Sequence, residues 1–589
     1  MRLTVLLLLL VATRAAAQTP PAPPLREHVV VTATVAPVPF DALTRSVTTI
    51  TREELEKLGV TSVADALRLL PGVDAKARGP RDVQTDFSIR AAAFGQSLVL
   101  VDGLRLNDSQ SGHHNGDIPM PLAAIDRIEV LAGTGSAVHG ADALGGTINI
   151  LSRRDRHALA TVAIGQHGYV SAQGSASGLV LPEAWLVTGW GARSSGFAFD
   201  RDFAYGGGAV RGRLDDRWTV DVRHQRKAFG ANQFYGPSPS KEWTDQTLAA
   251  MAWQRTADAW AATVRVQWRN HGDHFRWDIN RPGFAENEHR TDAAEATVTV
   301  ARPVSDRAHL AFGAMAGGDW IRSSGLGAHR YARAAGYGEL RWHPAPRAVV
   351  QGGLRLDRYS TFGGSWSPTL SSGVWLTPAL RLRASTSRAF RIPTFTELYY
   401  QDPGHLARSD LRAESGWAVD GGVDWTRAGW ELSFSAFRRG DRDVIDWVRP
   451  SAADRWRTTN VRGVTTRGVE ASAARRWRAA LVRLAYAAHD VDAPSLTLLS
   501  KYVLDYARHS ASASVASPIA FGVRGAVTVD HRRRVDGQTY SLVGVRVTRG
   551  VGRADLYVDA SNLLQERYIE VPGVEMPGRW LTAGFTLRH

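Results

Sequence analysis

Trp260-Ala261-Ala262-Thr263-Val264-Arg265-Val266-Gln267-Trp268-Arg269 alternates with a period of two. In an extended chain Trp260, Ala262, Val264, Val266 and Trp268 share one face, and Ala261, Thr263, Arg265, Gln267 and Arg269 share the other. Tryptophan closes both ends of the apolar face, as aromatic girdles do at the two interfaces of a bilayer, while the opposite face is polar enough for a wet lumen. The stretch reads as a strand that crosses a membrane with lipid on one side and water on the other. The same pattern returns in Trp430, Leu432, Phe434 and Ala436 against Glu431, Ser433 and Ser435. It returns again in Leu581, Ala583, Phe585 and Leu587 against Thr582, Gly584, Thr586 and Arg588. It runs from about Arg156 to His589, roughly 430 residues, which at ~22 strands leaves about 20 for each strand with its connection. A soluble sandwich would use shorter strands and would rarely set so many arginines opposite its hidden face. The prediction for 156–589 is an all-β transmembrane barrel of about 22 antiparallel strands.

Upstream the pattern changes character. Arg2 precedes the apolar run Leu3–Val11, and Ala15-Ala16-Ala17 offers small residues for cleavage, so 1–17 is predicted to be a signal peptide. The run is too short for a helical span, which needs about 20 apolar residues. Gln18-Thr19-Pro20-Pro21-Ala22-Pro23-Pro24 reads as an extended linker. Behind it, Glu27-His28-Val29-Val30-Val31-Thr32-Ala33-Thr34 is β-branched, suited to adding a strand to a partner's sheet edge or, equally, to opening the next domain. The segment 40–155 mixes α and β. Thr51-Arg52-Glu53-Glu54 is a capping box for a helix that stops at Gly59, and Ser62-Val63-Ala64-Asp65 opens a second helix, running to Leu70 and ended by Pro71-Gly72. Strands are expected at Phe87–Ile89, Leu98–Val101, Ile125–Leu131 and Gly146–Ile150. A mixed α/β domain of this size fits inside a large barrel as a plug.

Composition narrows the function classes. The formal net charge is +14 with 71 basic residues, but these are spread along the chain and mostly alternate with apolar ones, so contact with a lumen or with anionic lipid head groups is expected and nucleic acid is not. There is no cysteine, which removes disulfides and thiol catalysis together. No Gly-x-Ser-x-Gly elbow, His-Glu-x-x-His pair or Walker loop occurs, so an enzyme is not expected. A passive porin would share the barrel but not the plug.

Several stretches resemble the TonB-dependent receptor family. Ser62 to Val73 is similar to its plug helix, and Leu98-Val99-Leu100-Val101-Asp102-Gly103 to its plug strand. Ile125-Asp126-Arg127-Ile128-Glu129-Val130, followed by Gly140 and by Gly145-Gly146-Thr147-Ile148-Asn149-Ile150, is the most specific match. In the barrel, Phe390 to Tyr399 and Asn562-Leu563-Leu564 before Arg567-Tyr568 resemble common receptor stretches. The resemblance implies an outer-membrane receptor of a Gram-negative bacterium, a monomer, that binds a scarce nutrient and imports it with energy delivered by TonB. It implies that Glu27, His28, Val29, Val30, Val31, Thr32 and Ala33 are the TonB box and that Arg90 anchors the plug to barrel carboxylates. There are departures from the family pattern: Ala132-Gly133-Thr134 stands in place of Arg-Gly-Pro, Ala91 in place of the glycine after Arg90, and His589 in place of a terminal aromatic.

The apical plug stretch Asn107-Asp108-Ser109-Gln110-Ser111-Gly112-His113-His114-Asn115 resembles the cobalamin branch of the family, as do Gly230 to Tyr235, His271 to Phe275 and His289 to Asp292. Cobalamin is therefore the expected substrate, with a ferric siderophore or haem as the alternative on the same scaffold. Gln110, His113, His114, Asn115, Phe234 and Tyr235 are the expected contacts. Adjacent His113 and His114 in an extended loop would point in opposite directions, so no metal site and no cofactor is expected of them. Asp108, Asp117, Asp273 and Asp278 could give oxygen ligands to calcium, but none stands in a dense carboxylate loop, and solvated loop charge is the expectation.

Overall fold

The alternation around Trp260 becomes the seventeen-residue strand Trp260–Arg276. In this computed structural model, which describes residues 29–30, 32–39, 42–178, 185–493 and 496–589, the outward face of that strand is open. Val264, Val266 and Trp268 are 39, 55 and 42 % exposed, while Arg269 on the inward face is 4 % exposed. Among the described residues, strands from His157–Gly165 to Trp580–Arg588 close a 22-strand barrel in which neighbours pair antiparallel. The first and last strands join directly, Leu159 opposite Arg588 through Gly165 opposite Thr582. Two-residue turns at 258–259, 306–307, 346–347, 378–379, 428–429 and 478–479 mark one rim, whereas the other carries the long connections 392–413, 443–463 and 562–579. Short turns face the periplasm in such barrels and long loops face outward. Exposed Trp218, Trp342 and Trp477 girdle the short-turn end, and Trp268, Trp320, Trp366 and Trp417 the other. No helix among the described residues is long and apolar enough to cross a membrane.

The plug fills the lumen. Its sheet runs in the order Val47–Thr51, Ile125–Ala132, Gly146–Ser152, Ser97–Val101, Leu104–Arg105, with a parallel pair at its centre, and Val73–Ala77 pairs separately with Thr85–Ile89. Helix α1 (Arg52–Leu58) has the capping box expected of Thr51 and Glu54, and Gly59 ends it at φ 67°. Helix α2 (Val63–Arg68) is shorter than expected, because the Leu69 N–H already turns back to the Ala66 and Leu67 carbonyls ahead of Pro71. Its cap is also only half of a box. Ser62 Oγ accepts from Asp65 N, but the Asp65 carboxylate takes the Thr61 hydroxyl at 2.5 Å. The strands Val47–Thr51 and Val73–Ala77 escape sequence reading, since Thr48-Thr49 and Asp74-Ala75-Lys76 show no apolar alternation. The last plug strand ends at Ser152 and the first barrel strand begins at His157.

Residues 1–28 and 31 lie outside the described residues, and with them the expected signal peptide, the proline-rich linker and Glu27, His28 and Val31 of the box. Val29–Val30 pairs antiparallel with Val38–Pro39 as a hairpin separate from the plug sheet. Beyond it, Thr32 is buried. Its hydroxyl donates to Glu129 Oε2 at 2.5 Å, its carbonyl lies 2.8 Å from His139 Nε2, and Ala33 is packed against Val38 and Leu131.

Arg90 ties the plug to the wall. Its guanidinium donates to both oxygens of Glu470, at 3.0 and 2.6 Å, and reaches Asp420 at 2.8 Å. Where the family pattern places a second arginine, Ala132 cannot contribute, but Arg45, from a different part of the plug, donates to the Thr134 carbonyl and sets its buried charge towards Asp420 and Glu339.

Candidate functional site at the outer face of the plug

The apical loop begins where the sheet would end. Asn107 continues the pairing with its side chain, accepting from Val99 N at 2.8 Å and donating to the Ser97 carbonyl. Asp108 then turns to the wall and accepts from Arg269 at 2.6 Å and Thr291 at 2.8 Å. The next residues are not extended, as the sequence reading supposed: Ser111 caps a 3₁₀ turn over Gly112–Gly116. Gly116 is obligatory there, because a Cβ would stand 2.3 Å from the Thr85 carbonyl oxygen.

In a 3₁₀ turn successive side chains are about 120° apart, so the two imidazoles still diverge. His113 stacks on Phe94 at 4.4 Å, with Nδ1 3.0 Å from Asp86 and Nε2 3.4 Å from the Tyr502 hydroxyl. Burial, aided by the charge of Arg78, pushes its pKa down to about 4 even though Asp86 opposes the shift. His114 turns towards the barrel, with Nε2 3.4 Å from Asp273, Nδ1 3.9 Å from Asp117 and its ring 4.5 Å from that of His271. Burial lowers its pKa as well, but Asp273, Glu242 and Asp117 outweigh that and hold it up to about 10. The same burial thus acts on both imidazoles, and the carboxylates around His114 shift it in the direction opposite to His113.

Above the loop lies a cavity of about 160 Å³. Gln110, His113, His114 and Tyr235, four of the residues singled out in the sequence, line it. Asn115 and Phe234 do not. Asn115 Oδ1 braces the loop by accepting from Asp108 N at 3.0 Å, and Phe234 packs with Phe229 and Arg201 in a neighbouring apolar cluster. The cavity is rich in aromatic rings, among them Phe94, Phe275, Trp277, Trp447 and Tyr502, and its charges are mixed: Glu242, Asp273, Glu397 and Asp402 against Arg391 and Lys501. Sequence reading missed Trp447, Lys501 and Tyr502 because they belong to remote outer loops. Those loops form a four-stranded sheet of His405–Leu406, Trp456–Val461, Val444–Arg449 and Leu499–Ser500. Phe395 and Thr396 N–H groups from another loop stretch donate to the Ser109 and Gln110 carbonyls, stitching wall to plug.

The aspartates considered as calcium ligands are not solvated loop charges, with one exception. Asp108, Asp117 and Asp273 are buried and paired, with Arg269, Lys227 and His114 respectively, and only Asp278 sits in an outer loop, bonded to Arg281. A second cavity, about 730 Å³, lies between plug and wall on the periplasmic side of the loop, lined by Thr34 to Pro37, Arg265 and Arg355 among others.

Residues 40–147 match the model of the TonB-dependent receptor plug domain, and 187–573 match that of the TonB dependent receptor-like β-barrel. The chain is a TonB-dependent receptor. Such receptors sit in the outer membrane of Gram-negative bacteria and work with TonB to take up small-molecule nutrients, so its class is that of transporters and not of enzymes. The vitamin B12 transporter BtuB of Vibrio vulnificus (strain YJ016) is 26 % identical to this receptor over 476 residues, 76 % of this chain and 75 % of the relative. Among solved structures, the siderophore receptor PirA of Acinetobacter baumannii superposes with a TM-score of 0.75 at 16 % identity, over 93 % of this chain and 99 % of that one. The alcaligin receptor FauA of Bordetella pertussis gives 0.73 at 14 %, over 95 % and 97 %. At such identities the structural likeness establishes the fold of the receptor and nothing about its ligand.

Proposed function

We propose that this receptor binds and imports cobalamin or a close corrinoid. The observation that carries the reading is the balance of charge in the aromatic cavity. A ferric siderophore commonly arrives as an anion and calls for an excess of cations, yet here Arg391 is already held by Glu397 and Glu414, His114 is set against Asp273, and Glu242 and Asp402 still outnumber Lys501. A large ligand of mostly amide and apolar surface is better served by rings with hydrogen-bonding groups between them. The sequence likeness to a vitamin B12 transporter points the same way.

The free volume of about 160 Å³ is below the ~300–1,000 Å³ usual for sites that enclose a ligand, so the outer-loop sheet lifts when substrate enters. Import then follows from the N-terminal segment. Glu27 to Ala33 acts as the TonB box, paired by its backbone to TonB, and a pull on it withdraws Thr34 to Pro37 from the lining of the periplasmic cavity.

The test is equilibrium binding of cyanocobalamin to folded, detergent-solubilised receptor, with a ferric siderophore in parallel. Expected are saturable cobalamin binding, weakened at least about tenfold by Tyr235→Ala through loss of a buried ring, and no siderophore binding. Siderophore binding without cobalamin binding would overturn the reading.

A further inference from the structure

Two imidazoles and a carboxylate converge beneath the floor of the cavity, from opposite sides of the plug–barrel interface. His271, on the strand Trp260–Arg276, is fully buried and points Nε2 at Asp117 Oδ2, 3.3 Å away. His114 Nδ1 faces the same oxygen at 3.9 Å, and the three donor atoms all lie within 4.8 Å of one another. In a tetrahedral site with bonds of about 2.1 Å, ligand atoms stand roughly 3.4 Å apart, so only small side-chain shifts separate this trio from coordination.

The outer surroundings match as well. A ligating histidine is normally backed on its other ring nitrogen by a carboxylate, which fixes the tautomer and raises its basicity. Here Asp273 stands 3.4 Å from His114 Nε2, and Asp108 stands 3.4 Å from His271 Nδ1. Asp117 has its second oxygen held by Lys227 at 2.9 Å, leaving the first directed at the imidazoles. The charge around the trio suits a bound cation. Among the described residues, four buried carboxyl groups, Asp108, Asp117, Asp273 and Glu242, face Lys227 and Arg269 as permanent positive charges, with His114, His271 and His289 as the other titratable groups, so carboxyl groups outnumber the permanent cations.

We propose that His114 and Asp117 of the plug and His271 of the barrel wall bind one divalent transition-metal ion of the zinc class, cross-linking the apical loop to the barrel. Mixed imidazole and carboxylate donors select such an ion over calcium, which takes six to eight oxygens. Three protein ligands leave a fourth position for water, and His114, which also lines the cavity, gives the ion a route in. The inference does not rest on the choice of cobalamin.

The experiment uses the full receptor, stripped with chelator, confirmed as a folded barrel by circular dichroism and heat-modifiable mobility, and titrated with zinc and with cobalt(II) in the absence of any corrinoid. One equivalent of metal is expected, with the visible absorption of a four-coordinate cobalt centre. His271→Gln and Asp117→Asn each weaken binding by at least about 100-fold, whereas Glu242→Gln, on the far side of His114, retains it. Folded wild-type receptor that takes up no metal would overturn the proposal whatever the variants do. So would loss of binding in Glu242→Gln with retention in Asp117→Asn, which would move the ion to the other face of His114.

Discussion

At position 91 a side chain stands where the backbone favours none. Arg90 and Ala91 both have φ 53°, in the left-handed region where a Cβ costs roughly 1–2 kcal/mol. For Arg90 the cost is offset by three charge-assisted contacts to Glu470 and Asp420. For Ala91 nothing visible offsets it, and the family's usual glycine is the residue that geometry calls for. Ala91→Gly is expected to stabilise the receptor by about 0.5–1 kcal/mol, the relief of strain less the added freedom of the unfolded chain, seen as a higher thermal unfolding midpoint. An unchanged or lower midpoint would mean that the methyl packs better than its backbone suggests.

At the scale of the element, the strand Trp260–Arg276 shows how much of the architecture is local. Its two faces are fixed by a period that its first ten residues display, and Val264 lies between the girdles on the lipid side. Val264→Arg is expected to cost about 2–4 kcal/mol, measured by urea titration of folding into lipid vesicles, whereas a polar change at inward Thr263 should cost far less. On the proposed function the N-terminal strand acts differently, through its backbone. Val30→Pro removes a ladder donor and should abolish energised uptake while leaving ligand affinity at the wild-type value. Uptake at the normal rate would remove the box from Glu27 to Ala33. Barrel and plug are legible because period, caps and glycine turns are written in consecutive residues, whereas the apical loop is legible in place but not in shape, its 3₁₀ turn reading as extended chain. The site was legible only in half. Gln110 and His113 announce themselves by lying in one loop, but Gln110 meets Asp273 and His113, besides Asp86 of the plug, meets Tyr502, and such pairings across the interface are decided by which strands and loops the closed barrel brings round. Asn115 and Phe234 lie outside the cavity lining for the same reason: position in a loop does not say which way a side chain turns.

For the molecule as a whole, adhesion of plug to barrel depends on buried ion pairs and therefore on pH. Glu54 of α1 accepts from Arg483 at 2.9 Å, and although burial raises its pKa, Arg483, the Thr51 N–H and Arg476 together bring it below the ordinary 4.5. A carboxyl whose folded value is depressed stabilises above its unfolded value and loses that contribution as the pH falls through the folded one. Plug docking should therefore weaken below about pH 4.5, and Glu54→Gln should remove part of this acid sensitivity while lowering stability near neutrality by about 3 kcal/mol, because Arg483 is left buried and unpaired. Hydrogen exchange of α1 amides at pH 4 and pH 7 reads both effects; equal exchange in variant and wild type at both values would contradict them.

The seam between His157–Gly165 and Trp580–Arg588 has a consequence for biogenesis. Every other ladder of the barrel joins strands that follow one another along the chain, so each can form as a hairpin; this one joins ends about 420 residues apart, and closing a flexible loop of that length costs on the order of 5 kcal/mol in chain entropy. Until it closes, the sheet has two raw edges whose N–H and C=O groups find no partner in lipid and can pair with a neighbouring chain instead. A plug already gripping Arg483, Glu470, Asp420 and Asp273 around the circumference would hold those edges near each other. The domain that blocks the pore in the finished receptor is thereby placed to act as the mould on which the pore is cast.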